Sequence, residues 1–581
     1  MKKIISFLLV LIMLCASLVS CGEKSDEETI DKITNKASEE TATISMYLMA
    51  EQEVSPEVEE AIEAAVNKIT KSKFKTQVDI RYYTADKYYE AIENALAIAD
   101  EEAMSGSIFD AWEEDEDEES ETEIETILNE NGLPELKYPD IADHQVDIFY
   151  LSGIENYTYF DEMQYLELLG AYTGSLGADI FPMFLDYMKT LNGGVYAIPT
   201  NKAIGEYNFL LLNKEAMKDT NYSKGDFTSI SDANCQDFIQ LVAESYRDEY
   251  VPFYSNGNVL DFVPNFKYWG IDENGRLCEK FSVIGAKFDQ SVKYKGSASA
   301  MNPSNLLGNT AFVEHVTTLR GYEFNGYYAT EEEKAAGKDF AVGYVTGGAE
   351  IYAEYGDKYD VIALSAPILT TDSLYDDMFA VSVYANVTRS MDVINYMNTN
   401  VEFKNLLLYG VEDVHYKFVE SEELDENGEP YKLVRRLTDK NGKPLYLMAN
   451  EKTGNTFNAW PLEGQDPNWA DHAKIQNREA IVSLALGFST NYGGYDVNAA
   501  ELKEMATLSK KIYDGIMDCE SAEELDKYIK KQKGIIDSNA AFKSIVSDKD
   551  PTGQLGEEPT TFTELYRTWL TDIGVFKYVE N

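Results

Sequence analysis

The stretch Gly194–Met217 constrains the fold more than any other part of the chain. It reads GVYAIPTNKAIGEYNFLLLNKEAM. A short apolar strand, Val195–Ile198, ends at Pro199, which has no backbone donor and a fixed φ. After a polar turn comes the apolar run Phe209–Leu212, which is typical of a strand buried on both faces. This order suits a chain that crosses from one α/β lobe into another, where ligands often bind, although an ordinary buried strand–turn–strand fits it equally well.

Strands and helices alternate in the preceding region. The pattern predicts strands at Thr43–Met49, Gln77–Tyr83 and Val146–Leu151, with a helix beginning at Ser55-Pro56-Glu57 and another over residues 88–99. Such alternation favours a lobe with a largely parallel sheet. Because 581 residues are too many for one hydrophobic core, we expect at least two domains.

The second half of the chain carries further strand and turn signals. Phe340–Val345 and Tyr359–Leu364 are predicted to be buried strands, and Lys267–Glu279 a hairpin around an Asn-Gly turn. Two more turn sequences within Glu422–Met448 predict a β-meander. Capping boxes such as Ser521–Glu524 predict a helical tail.

Three stretches resemble the family 1 extracellular solute-binding proteins, the receptors of bacterial sugar ABC importers. They are Tyr196–Pro199 with its following turn, Phe379–Tyr384, and Asn395–Tyr416. The last stretch resembles the Gram-positive lipoprotein branch, which usually has glycine where Asp413 stands. The resemblance covers roughly Thr43 to Ser483. It implies an α/β, two-lobed periplasmic-binding-protein (Venus-flytrap) fold with an interlobe cleft and a helical C-terminal segment.

The resemblance also implies a division of the chain. We expect a first lobe at 41–203, interrupted by an acidic insertion at 113–125, and a second lobe at 204–378. Residues 379–412 should return to the first lobe, with the second hinge crossing near Phe379–Tyr384. The β-meander and helical segment at 413–581 should pack mostly on the second lobe.

The N-terminal residues resemble a bacterial lipoprotein signal peptide. Lys2 and Lys3 precede an apolar run, Ile4–Ala16, that is too short to span a bilayer, and the sequence LVSC ends at Cys21. Residues 1–21 are therefore expected to be the signal peptide, with Cys21 lipidated by acyl chains such as palmitate, and 22–40 an acidic tether. This predicts attachment to the extracellular face of the cell membrane, or its periplasmic face in a Gram-negative organism. A plain secretory signal is the alternative.

Composition excludes several classes of partner and chemistry. A net charge of −52 repels nucleic acid and anionic lipid, so contact with the membrane is expected through the lipid only. Cys235, Cys278 and Cys519 are too few for a disulfide framework. No nucleotide-binding, hydrolase or zinc motif occurs, and the four histidines share no ligand spacing. We expect no cofactor, metal or catalytic residue, and a monomer.

A sugar presents apolar C–H faces and a ring of hydroxyl groups, so aromatic side chains with polar neighbours are the candidate ligand contacts. Strand ends and the resemblance give Glu51, Ser152, Glu155 and Tyr157 in the first lobe, Asn201, Glu206 and Tyr207 at the hinge, and Trp269, Trp460 and Trp469 approaching from the second lobe. For each tryptophan the alternative is a core or surface-packing role.

These features predict a lipid-anchored substrate-binding component of an ABC importer. It would capture a sugar or oligosaccharide and deliver it to a membrane permease. Two other functions are compatible with the sequence: a secreted glycan-degrading enzyme, which needs only two placed carboxylates, and a surface adhesin.

Changing Cys21 to Ser tests the anchor. The variant should lose acyl labelling and keep its signal peptide, because the lipid is attached at this thiol. Mass spectrometry of the native mature protein provides the check. An unmodified N-terminus at another residue would show that the lipoprotein assignment is wrong.

Overall fold

The computed structural model describes residues 41–106, 127–128, 134–135, 144–172, 194–258, 260, 262–263, 266–271, 277–278, 281–287, 303–424, 428–483, 486–488, 497–547 and 559–572. The predicted signal peptide, the tether, the acidic insertion at 113–125 and the Asn274-Gly275 turn lie outside these residues. No helix within the described ranges is both long and apolar enough to cross a membrane.

The elements follow the predicted alternation. Up to residue 199 they are β1 (Ala42–Ala50), α1 (Pro56–Phe74), β2 (Thr76–Thr84), α2 (Ala85–Gly106), β3 (Ile127–Leu128), β4 (Pro134–Glu135), β5 (Ile148–Leu151), α3 (Ile154–Glu162) and β6 (Ala197–Pro199). Those that follow, up to residue 365, are β7 (Tyr207–Asn213), α4 (Lys214–Thr220), α5 (Ala233–Ser245), β8 (Val251–Ser255), β9 (Phe266–Tyr268), β10 (Gly270–Ile271), β11 (Leu277–Cys278), β12 (Ile284–Lys287), β13 (Ser304–Asn305), α6 (Thr310–Phe324), α7 (Glu331–Ala335), β14 (Phe340–Gly347), α8 (Glu350–Tyr355) and β15 (Tyr359–Ser365).

The remaining elements return to the first sheet and then form the helical tail. They are β16 (Ile368–Leu369), α9 (Thr371–Tyr375), β17 (Met378–Val381), α10 (Val387–Thr399), α11 (Val401–Tyr409), β18 (Tyr416–Leu424), β19 (Pro430–Arg436), α12 (Trp469–Glu479), β20 (Ile481–Val482), α13 (Ala499–Met517), α14 (Ala522–Ser538), α15 (Ala540–Val546) and α16 (Phe562–Asp572).

The first lobe is built on a sheet with the strand order β2–β1–β5–β17–β6. Strands β2, β1 and β5 pair in parallel, whereas β17 runs antiparallel to both β5 and β6. The buried carboxylate of Asp147 joins three parts of this lobe: it accepts hydrogen bonds from the backbone N–H groups of Ser45 and Asn386, each at 2.9 Å, and from the side chain of Gln145. The predicted parallel arrangement therefore holds for the N-terminal strands.

The second lobe contains a separate sheet in the order β15–β7–β14–β8. All seven residues of β7 are buried, as the apolar run at Phe209–Leu212 predicts. The strand lies between two antiparallel partners, β14 and β15. Asn213 ends the strand and caps the next helix, because its side chain accepts from the N–H groups of Glu215 and Ala216.

The second hinge crossing lies before the predicted position at Phe379–Tyr384, so that prediction is wrong. Met378–Val381 is strand β17 of the first sheet, and its four residues are buried. The segment pairs on both sides, with β5 and with β6, and so lies inside the first sheet. The chain crosses at residues 366–377 instead. There β16 pairs in parallel with β20, where the chain crosses a third time.

The region after residue 413 packs in two parts. The hairpin of β18 and β19 and the loop that follows contribute Tyr416, Val434, Tyr446 and Met448 to the core of the first lobe. Helices α13–α16 contribute to the core of the second lobe, with Trp569 fully buried there. The expectation that residues 413–581 pack mostly on the second lobe is therefore wrong for the hairpin and its loop, whose apolar face covers α11.

Asp413 keeps the turn at which the resembling family has glycine. Its φ is +62°, in the left-handed region that aspartate tolerates better than most residues. Its N–H donates to the carbonyl oxygen of Tyr416 at 2.7 Å. At this departure from the family pattern, the aspartate adopts a left-handed backbone conformation that glycine also adopts readily.

Lys404 on α11 generates a stability prediction. Its ammonium group is fully buried and donates to the carbonyl oxygens of Asn450 and Gly454 and to Oγ1 of Thr453. Lys404→Met should lower the free energy of unfolding by about 2–4 kcal/mol, because Thr453 Oγ1 and the Gly454 carbonyl oxygen lose this donor and the Asn450 carbonyl oxygen keeps only the hydroxyl of Thr453. Urea denaturation measures the change. Exposed Lys440→Met is the matched control, and equal losses in the two variants would contradict the assignment.

Candidate functional site

The crossings bring the carboxyl edges of the two sheets together. Strands β1, β5 and β6 of the first lobe end there, as do β8, β14 and β15 of the second. In open α/β sheets, ligands bind outside the carboxyl ends of strands. The candidate site is therefore the space next to residues 200–206 and 366–377.

A cavity of about 600 Å³ opens at this edge, on the second-lobe side. Its volume lies within the usual range of ligand pockets. The lining combines amide and hydroxyl side chains with aromatic rings. It consists of Gly205, Glu206, Asn208, Ser255, Asn256, Gly257, Asn258, Phe262, Val263, Phe266, Tyr268, Tyr344, Thr346, Ser365, Ala366, Ile368, Thr370 and Ser373.

The polar wall is held in place by hydrogen bonds between strand ends. Thr346 Oγ1 donates to Asn208 Oδ1 at 2.8 Å, and Asn208 Nδ2 donates to Ser365 Oγ at 3.1 Å. Asn256 binds the backbone of Thr346 through both ends of its amide, at 2.7 and 2.9 Å. These side chains are already oriented, so a hydroxylated ligand would meet fixed donors and acceptors.

The aromatic wall is formed by four rings. Phe266, Tyr268 and Tyr344 are buried, and Phe262 is half-buried. The Phe262 and Tyr344 rings lie 6.3 Å apart at 30°. The ring of His315 also lies 5.9 Å from the Tyr344 ring. Burial lowers the pKa of His315 to about 4, so the imidazole is neutral at pH 7.

The hinge beside the cavity is fixed by α12. The hydroxyl of Tyr207 donates to Glu479 Oε2 at 2.6 Å, and both burial and this carboxylate raise the pKa of Tyr207. Gln476 and Asn477, both buried, bind the backbone of residues 202–205.

A second polar cluster fixes the first-lobe edge. Ser152 Oγ donates to Asp376 at 2.6 Å, and Lys202 pairs with Asp376 and Asp377. Tyr150 donates to Asp377, and burial together with that carboxylate raises the pKa of Tyr150. The cluster joins β5 to two of the crossings and so determines where the first lobe ends.

Trp269 does not line the cleft, and its prediction as a sugar platform is wrong. Only 3% of its surface is exposed, and its ring packs against Phe562 and Tyr566 of α16 at 5.4 and 4.5 Å. Helix α16 covers the connection between β9 and β10, where Trp269 lies. The tryptophan is therefore part of the second-lobe core.

Trp460 and Trp469 also lie elsewhere than predicted. Both are partly buried against the first-lobe core, with Trp460 5.0 Å from the Phe418 ring and Trp469 6.4 Å from the Phe457 ring. They do not approach from the second lobe. The hairpin of β18 and β19 supplies the apolar surface on which Trp460 packs.

The other predicted residues are distributed around the crossings. Tyr157 is buried against Tyr375, 4.9 Å away, so its ring is not a surface platform. The carboxylate of Glu51 accepts a hydrogen bond from Lys452 at 2.5 Å. Glu155 is exposed at the start of α3. Asn201 is buried, and its carbonyl oxygen accepts a hydrogen bond from Thr456. Of the ten predicted contacts, Glu206 is the one on the described cavity lining, and Ser152 and Tyr207 lie at the adjoining edges.

Most residues of the cavity lining are not among those predicted from the sequence. Asn208 stands near the start of β7, whereas Thr346 and Ser365 stand at or next to the last residues of β14 and β15. Phe262 follows the Ser-Asn-Gly-Asn run that begins at the last residue of β8. The sequence did contain one indication of these residues, because Thr346 and Ser365 directly follow the predicted strands Phe340–Val345 and Tyr359–Leu364. Their convergence depends on strand order, which the sequence did not supply.

No family model and no curated protein matches the sequence. Solved structures do match. One is the crystal structure of the N-glycan transport solute binding protein NgtS from Streptococcus pneumoniae, whose sequence is 18% identical to this one. The match covers 93% of this chain and 99% of that chain, with a TM-score of 0.55. The chain has the two-lobed fold of a solute-binding protein. This likeness confirms the fold class expected from the sequence.

Two further structures match over similar lengths. NgtS in complex with Man1GlcNAc is 18% identical over 93% of this chain and 100% of that chain, with a TM-score of 0.46. An HMO-binding, ABC-transporter-associated solute-binding protein from Bifidobacterium longum infantis is 12% identical over 92% of this chain and 99% of that chain, with a TM-score of 0.43.

The buried position of Trp269 predicts a stability effect. Trp269→Ala should lower the free energy of unfolding by about 3–5 kcal/mol, because a large core side chain is lost. Chemical denaturation gives the value, with exposed Tyr159→Ala as the aromatic control. If the variant stayed as stable as the parent and instead lost ligand affinity, Trp269 would be a platform after all.

Proposed function

We propose that this protein is the substrate-binding component of an ABC importer and captures a sugar or oligosaccharide. The observation that carries the proposal is the cavity lined by oriented amide and hydroxyl groups and by an aromatic wall, at the junction of two lobes. Sugar hydroxyl groups can replace water on such donors and acceptors, and the C–H faces can pack on the rings. The similar fold of a protein described as an N-glycan transporter component supports the same class of ligand.

The two-lobed arrangement suggests how capture is converted into delivery. Three crossings within the described ranges connect the lobes, so a ligand that contacts both lobes would shift an open–closed equilibrium toward the closed form. The permease would then receive the closed, loaded protein. In this proposal the chain contributes binding and conformational change, and no catalysis.

The location and partners follow from the N-terminal residues. We propose that the lipid on Cys21 holds the protein, as a monomer, at the extracellular face of the cell membrane, or at the periplasmic face in a Gram-negative organism. Permease subunits are the proposed protein partners. Several acyl chains on one residue provide firm attachment, since each buried CH₂ contributes roughly 0.8 kcal/mol.

A thermal-shift screen tests the proposal. The panel contains glucose, galactose, mannose, maltotriose, mannotriose and Man5GlcNAc. At least one should raise the unfolding temperature, because a ligand at 100 times its Kd adds about 2.7 kcal/mol to stability. Calorimetry should then show about tenfold weaker binding by Asn208→Ala, which removes an oriented amide from the cavity. Exposed Asn325→Ala, outside the cavity lining, is the control.

The alternatives give different results in the same assays. Release of reducing sugar from maltotriose, mannotriose or Man5GlcNAc would favour the secreted glycan-degrading enzyme. Stabilisation by none of the sugars would contradict the proposed function and leave the adhesin.

A further inference from the structure

The backbone carbonyl of Phe262 is held from inside the second lobe by two side chains. The hydroxyl of Tyr344 donates to it at 3.2 Å. The imidazole of His315, on α6, also hydrogen-bonds to the backbone of Phe262. Phe262 is the least buried ring of the aromatic wall, so the segment that presents this ring to the cavity is fixed by two buried donors.

His315 is an unusual residue for its surroundings. Its exposed fraction is 3%, and its second nitrogen, Nε2, has no hydrogen-bond partner among the described residues. Leaving a buried polar atom unpaired is unfavourable, and a leucine of similar size would avoid it. The gain that offsets this loss is the hydrogen bond from Nδ1 to Phe262. Because burial keeps the imidazole neutral, with one N–H, that nitrogen is the donor.

The packing of the rings explains why this anchor affects the cavity. The Tyr344 ring packs near both the Phe262 ring, 6.3 Å away, and the His315 ring, 5.9 Å away. Tyr344 therefore contacts Phe262 through both its ring and its hydroxyl group. A shift of the Phe262 carbonyl would change the angle of the ring that faces a ligand, and stacking depends on that angle.

We propose that Phe262 is the sugar platform of this protein and that His315 and Tyr344 are positioning residues for its ring. The inference rests on the proposed function, which it deepens by assigning the stacking surface. His315 touches no ligand in this proposal and acts only through Phe262.

A double-mutant cycle on the full chain tests the assignment. The probe is the panel sugar that stabilises the parent most, with Man5GlcNAc as the first candidate. Phe262→Ala should weaken binding about tenfold, and His315→Leu about threefold to tenfold. In the Phe262→Ala background, His315→Leu should have no further effect on affinity, because no ring remains to be misplaced.

His315→Asn supplies the conservative variant. Its side-chain N–H can replace Nδ1, so it should recover most of the affinity that His315→Leu loses. Thermal unfolding of each variant confirms that the protein measured is folded. If His315→Leu fails to fold, Tyr344→Phe carries the test, because it keeps the ring and removes the hydroxyl that donates to the Phe262 carbonyl. Tyr344→Phe should weaken binding in the parent and have no further effect on Phe262→Ala, and a loss that persists on Phe262→Ala overturns the inference.

The two proposals fail in different ways. A parent protein that binds no panel sugar contradicts the proposed function, and the platform with it. A parent that binds, together with a folded His315→Leu or Phe262→Ala of unchanged affinity, contradicts the platform assignment alone.

Discussion

Two buried amide side chains satisfy the backbone where the chain first passes between the lobes. Gln476 Nε2 donates to the carbonyl oxygens of Ile204 and Gly205 at 3.0 and 2.6 Å. Asn477 accepts from the N–H of Ile204 and donates to the carbonyl oxygen of Lys202, both at 2.8 Å. Residues 200–206 of this first crossing pair with no strand, and unpaired buried backbone groups are costly. Helix α12 is thus a structural requirement of the two-lobed arrangement.

The same helix connects the crossing to the second lobe. Gln476 Oε1 accepts from the N–H of Ala349 at 2.9 Å, and Glu479 accepts from Tyr207. Gly205, at φ +54°, lies so close to the second crossing that a Cβ atom would be 2.6 Å from the carbonyl oxygen of Ile368. Any rotation of one lobe against the other must repack these contacts together. Such coupling favours a few discrete arrangements over continuous bending.

The local sequence pattern predicted most strands and helices, whereas the candidate site depends on contacts between residues far apart in the sequence. The apolar run in β7 and the cap at Asn213 depend on neighbouring residues, so sequence reasoning found them. Trp269 looked like a loop aromatic because its cover, Phe562 and Tyr566, comes almost 300 residues later in the chain. The polar wall of the cavity combines Asn208, Thr346 and Ser365 from three strands whose order is not encoded locally. The same limit placed the second crossing at β17, where a buried strand resembles the hinge strand of the family.

The protein as a whole is strongly acidic, whereas the lining of the cavity is mostly uncharged. The net charge is −52, yet Glu206 is the one carboxylate on the described lining, and the other polar groups there are amides, hydroxyls and backbone. Ligand selection by such a surface depends on hydrogen-bond direction and ring contact, which salt screens little, whereas the surface charge acts at long range.

The described walls of the cavity come from the second lobe and the crossings. At the first-lobe edge, the hydroxyl of Ser152 already donates to Asp376. A ligand bound there would keep one face in water. In the proposed function, closure of the first lobe over that face would add further contacts, and it would have to rearrange the contacts that α12 makes with the first crossing and with the second lobe.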